Sequence, residues 1–168
     1  AGGQGTGGAI DLTISGPVMT TGAGSTGVFA QSEGANGAGD IRLSLQSGVR
    51  GGSDDGVAVE IVGGASNVVD SFGQTSAASG WAIRSWAGDD QVNNHGLMVG
   101  DIDLGSGDNG VLNASDGTYV ALHNIDLRDL VSRVGIYEFS AIRVGLDGKP
   151  TAGALSLGTA ASGGGAGG

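Results

Sequence analysis

Cysteine is absent from the 168 residues, and lysine occurs once, at Lys149. The first absence excludes disulfides, zinc–thiolate sites and a cysteine nucleophile. The second leaves no basic patch for nucleic acid or an anionic membrane surface, because the six arginines are scattered at 42, 50, 84, 128, 133 and 143 and the net charge is −10. Proline is limited to Pro17 and Pro150 and no G-x-y period exists, which excludes collagen despite 37 glycines. No apolar run is long enough to cross a bilayer as a helix. Phe, Trp and Tyr together number seven, so the core must be narrow and aliphatic.

What is present is an alternating aliphatic pattern. Hydrophobic residues make up 39% of the chain, too many for a disordered polymer. Gly88-Asp89-Asp90-Gln91-Val92 returns as Gly107-Asp108-Asn109-Gly110-Val111, and Gly100-Asp101-Ile102-Asp103-Leu104 returns as His123-Asn124-Ile125-Asp126-Leu127. A polar turn followed by a short strand, recurring about every 20 residues, is the mark of a stacked solenoid. One such unit cannot bury its apolar side alone, so neighbours must stack.

Ile10–Ile14, Val18–Thr20 and Val28–Ser32 read as three strands separated by tight turns, one coil of a three-sided parallel β-helix. Ile41–Leu45, Val57–Val62 and a shorter strand from Val68 continue the pattern. Gly80-Trp81-Ala82-Ile83-Arg84-Ser85 echoes Gly27-Val28-Phe29-Ala30-Gln31-Ser32, which aligns Trp81 with core-facing Val28 and Trp86 with outward Glu33. Leu127, Leu130, Val131 and Val134 have helical spacing, which predicts a short helical excursion near 126–134. Ile136–Phe139 and Ile142–Leu146 read as strands. The expected fold is all-β: a right-handed parallel β-helix over 1–157, with a Gly/Ala-rich linker or end at 158–168. Seven or eight coils at about 20 residues each would make a rod roughly 35 Å long. Ala1–Gly5 has neither a charged nor an apolar export segment, and both Gly-rich ends read as cut from a longer chain.

The run Ser25-Thr26-Gly27-Val28-Phe29-Ala30-Gln31-Ser32 with the glycines after it, and more closely the stretch from Gly88 through Asn109, resembles repeats in the passenger domains of bacterial autotransporters. Glu33 departs from the pure glycine run usual after Ala-Gln-Ser, which blurs the repeat boundaries. The similarity covers most of residues 9–127. It implies a right-handed parallel β-helix that is extracellular or on the outer-membrane surface of a Gram-negative bacterium, serving as an adhesin or stalk. The partner would be a host or neighbouring-cell surface, glycan or protein. The family's C-terminal translocating barrel has no counterpart in these residues.

Three side-chain groups bear on chemistry. Asp89, Asp90, Asp108 and Asn109 offer hard oxygen ligands that could hold calcium, the one cofactor in question, although Asp and Asn also cap turns through their own backbone. Asp101 and Asp103, two apart on a strand, share a face and could act as an acid–base pair on a glycan, but with Ile102 and Leu104 inward they read as solvated carboxylates. Trp86 is the candidate binding residue, an exposed indole able to stack on a sugar or anchor a protein contact. His95 and His123 lie beside Asn in turn or strand-edge contexts, and no G-x-S-x-G elbow exists for Ser-His-Asp catalysis. The function expected is therefore a non-catalytic secreted or cell-surface structural or adhesive passenger segment. The alternative is a self-assembling extracellular fibre or layer subunit joined through open solenoid ends, and a glycan-active enzyme is a distant third.

Overall fold

The structure, a computed structural model, describes residues 4–122 and the short strand at 138–139. The expected helical excursion at 126–134, His123 and the end at 158–168 lie outside the described residues. Within them the chain is all-β, every strand pairing is parallel, and there is no helix.

Strands β1 (Ile10–Ile14), β2 (Val18–Met19) and β3 (Val28–Ser32) form the first circuit; β4 (Ile41–Leu45), β5 (Val49–Gly51) and β6 (Val57–Gly63) the second. β7 (Ser66–Ser71) and β8 (Gln74–Ser85) form the third, β9 (Asp89–Asn94) and β10 (Leu97–Asp103) the fourth, and β11 (Gly110–Asn113) and β12 (Thr118–Val120) follow. Each circuit begins on one six-stranded sheet in the order β1-β4-β7-β9-β11-β13, where β13 is Glu138–Phe139. The second sheet has two rows. In one, β2 pairs with β5, β5 with the start of β8, that with the start of β10, and that with β12. In the other, β3 pairs with β6, β6 with the end of β8, and that with the end of β10.

The 19-residue repeat is visible directly: Gln91 lies beside Gly110 and Val92 beside Val111. The earlier circuits are longer than expected. Ile10 pairs with Ile41, 31 residues on, Ile41 with Asn67 after 26, and Asn67 with Asp90 after 23. The difference lies mainly in the corner between the second and third strands of a circuit. Residues 20–27 fill it in the first circuit and 52–56 in the second, whereas in the third a single 12-residue strand, β8, runs through.

That corner also corrects the alignment of the tryptophans. Val28 pairs with Val59, and Val59 with Ile83, so Ile83 and not Trp81 continues the Val28 column. Trp81 stands beside Val57 and is half-buried. Val57, Ala58 and Val59 are all buried in succession, which breaks the period-two alternation on which the sequence alignment rested. Trp86 follows Ser85, the partner of Ile61, and so falls in the column of Val62 and Gln31, not that of Glu33.

Inward side chains of the first sheet form three columns. The middle one is apolar throughout: Leu12, Leu43, Val69, Val92, Val111. The flanking columns start as Ile10–Ile41 and Ile14–Leu45 and then become polar, continuing as Asn67–Asp90 and Ser71–Asn94–Asn113. Leu43, Leu45, Ile61, Ile83 and Met98 are fully buried in the shared core, where each large aliphatic side chain contributes about 1.5–3 kcal/mol.

Candidate functional site

The aspartates and asparagines singled out in the sequence separate into two sets. Asp90 and Asn109 face inward and are buried, while Asp89 and Asp108, their neighbours along the strand, are exposed. The strand's alternation forces that split. Asp89 Oδ1 accepts the Asp108 backbone N–H at 2.9 Å, so it caps the turn of the next circuit. The four therefore do not converge on one point, and the described residues contain no cluster of three or more His, Cys, Asp or Glu able to hold a metal ion.

The inward pair belongs to an amide ladder. Asn67 donates from Nδ2 to Asp90 Oδ1 at 2.8 Å and to the Gly63 carbonyl at 3.1 Å. Asp90 Oδ1 also accepts the Ser85 hydroxyl at 3.0 Å, and the Asp90 N–H donates to Asn109 Oδ1 at 3.0 Å. Asn109 Nδ2 donates to the carbonyls of Leu104 and Gly105. At the opposite edge of the sheet Asn94 donates to Asn113 Oδ1 at 2.6 Å and to the Thr118 carbonyl at 3.0 Å, and Asn113 donates to the Gly117 carbonyl at 3.0 Å. These amides satisfy backbone carbonyls where the chain leaves each strand, a need that buried turns always carry. Asp90 is the exception, an acid in an amide's place. Burial pushes its carboxyl up to about 6, against the pull of the Asn67 and Ser85 hydrogen bonds, and its Oδ2 is buried with no hydrogen-bond partner.

The sequence did carry a signal for this ladder. Asn67-Val68-Val69-Asp70-Ser71, Asp90-Gln91-Val92-Asn93-Asn94 and Asn109-Gly110-Val111-Leu112-Asn113 share one pattern, polar–x–Val–x–polar. Taking Asp and Asn as turn oxygens hid it.

The pair Asp101 and Asp103 sits on an irregular stretch of β10. The register shifts on both sides of Asp101, next to Gly100 at φ 130. Asp103 is exposed and accepts the Gly105 N–H at 3.1 Å; Asp101 is half-buried and accepts the Leu122 N–H at 3.3 Å. Burial, with a smaller contribution from the Asp101 carboxylate, raises the Tyr119 phenol above its ordinary value. His95 places Nδ1 at 3.0 Å from Asp116 Oδ1 and stacks on Phe72 with ring centroids 5.0 Å apart.

The outward side of the third row gathers the remaining candidates. Phe29, Glu60, Arg84 and Asp103 occupy one register across four successive strands. Trp86 is 58% exposed and Phe29 54%. Trp86 donates its indole N–H to Glu60 Oε1 at 3.1 Å, and Thr26 donates its hydroxyl to the other oxygen of the same carboxylate at 3.1 Å. The Arg84 guanidinium lies over Trp81, 4.6 Å from the ring centroid.

No protein-family model, curated protein or solved structure matches the chain. The chemistry open to these groups follows from their placement. The amide ladder is committed to holding circuits together. The outward row presents two aromatic rings with a carboxylate and a guanidinium between them, fixed to one another and open to water.

Proposed function

We propose that this chain is a length of right-handed parallel β-helix acting as a non-catalytic structural or adhesive segment, secreted or displayed at the outer-membrane surface of a Gram-negative cell in the manner of autotransporter passengers. The observation that carries the reading is the unbroken parallel register from β1 to β11, with side chains stacked over like side chains. Such a stack sums many equivalent neighbour contacts and suits a shaft better than a pocket. The carboxylates with catalytic potential, Asp101 and Asp103, are each engaged with backbone N–H groups. Fused ahead of an outer-membrane translocating barrel in a Gram-negative host, the chain should reach the surface and resist added protease as a folded block. Retention in the periplasm, or digestion without a stable core, would refute it.

One observation favours end-to-end assembly as a second reading. Among the described residues β1 and β2 are paired on one side only, and Leu12 and Met19 are 39% and 66% exposed, whereas Leu43, next to Leu12 in its column, is 1% exposed. A bare strand edge over apolar side chains is a template for another chain. Light scattering that shows mass growing with concentration supports this reading, and a monomer of 16.2 kDa throughout rejects it.

A further inference from the structure

We propose that the outward side of the third row is a binding platform for an uncharged polysaccharide, with Phe29 and Trp86 as stacking surfaces. The proposal rests on the displayed-shaft reading and names what such a shaft would hold. Phe29 and Trp86 stand two strands apart, about 10 Å along the stack. Both rings are more than half exposed, whereas the aliphatic columns beneath them are buried. An exposed indole is ordinarily free to turn; here Glu60 holds its N–H, and Thr26 holds Glu60. Fixing the ring in advance removes the ordering cost from binding. Aromatic faces give apolar contact with the C–H side of a pyranose. Between them the Glu60 carboxylate and Arg84 guanidinium offer acceptors and donors at the height where hydroxyls would lie.

The charge on this surface selects among polymers. Glu33, Glu60 and Asp103 surround a single cation, Arg84, which is already seated on Trp81. Uronate or sulfated chains would be repelled, and a neutral glycan would not. β6 and β8 are hydrogen-bonded on both sides, so their part of the surface offers no open backbone edge to a peptide strand. Phe72 is also exposed, at 46%, but it is stacked on His95 on another side and serves as a control.

The test is affinity electrophoresis of the full chain in native gels cast with hydroxyethyl cellulose, laminarin, mannan, dextran or polygalacturonate. Tryptophan fluorescence, reporting Trp81 and Trp86 alone, is read in parallel. At least one neutral polymer should retard the wild type and change its emission. Trp86→Ala should weaken retardation about tenfold or more, Phe29→Ala should weaken it too, and Phe72→Ala should leave it unchanged. Both test positions are exposed, so far-ultraviolet circular dichroism should match wild type. No retardation by any neutral polymer, retardation by polygalacturonate alone, or equal loss in Phe72→Ala overturns the proposal. A chain that is surface-displayed and protease-resistant yet passes every gel unretarded removes the platform and leaves the shaft reading standing.

Discussion

Replacing Asp90 by asparagine should make the protein more stable at neutral pH, against the usual outcome of changing a buried, hydrogen-bonded residue. Asp90 is 3% exposed and its carboxyl is raised from 3.8 to about 6, mainly by burial. The sign follows from proton linkage. Between those two values the folded protein holds a proton that the unfolded chain has released, so stability falls as pH rises through the window. The gap, at about 1.4 kcal/mol per pH unit, comes to about 3 kcal/mol lost by pH 7. Asparagine cannot ionise, keeps an oxygen for Asn67 and Ser85, and supplies a donor in place of the orphaned Oδ2. Its neighbours in the ladder use that donor on the carbonyl four residues back, as Asn67 does on Gly63 and Asn109 on Gly105. Urea denaturation followed by circular dichroism at pH 8 should therefore place Asp90→Asn up to about 3 kcal/mol above wild type, and at pH 4 the two should nearly coincide. A variant less stable than wild type at pH 8, or a difference that does not change with pH, would refute the account of Asp90 as a strained acid in an amide position.

The remaining expectations are narrower. Gly107 sits at φ 133 with the space for a Cβ taken by the Gly88 carbonyl, so Gly107→Ala should cost about 2 kcal/mol or more in the same denaturation assay, and a neutral result would contradict the close stacking of these turns. Asn94→Ala strands the Thr118 carbonyl and Asn113 Oδ1 in a buried setting and should cost about 2–3 kcal/mol, whereas Asn93→Ala, which removes only a partly buried bond to Asp70, should cost less than half as much. If Asp89 and Asp108 act as caps, melting temperatures in calcium and in chelator should agree, and a rise with calcium would make them ligands.

The parallel architecture was readable because Ile-x-Leu strands and the Gly-Asp turn recur in register, and Val92 does lie beside Val111. Period-two alternation also put Ile102 and Leu104 inward and left Trp86 in water, where it is found. Two things escaped for one reason: alternation is a local rule, and the chain breaks it at corners. Three consecutive buried residues at Val57–Val59 shift the parity, which moved Trp81 out of the Val28 column. At Asp89–Asp90 parity itself sends one carboxylate out and the next in, a separation hidden when the four oxygens are read as one cluster. The exposed row of Phe29, Glu60 and Arg84 spans 55 residues of sequence and exists only once the register is known.

The corner between the second and third rows has one further consequence. There the chain carries eight linking residues, then five, then none, while the columns on either side stay aligned. Length at that point is thus uncoupled from stacking, as it is at no strand. It is the natural insertion port of the molecule, a place where a foreign loop or an epitope could be spliced into the Gly52–Gly56 segment and carried on the flank without disturbing the layers above and below.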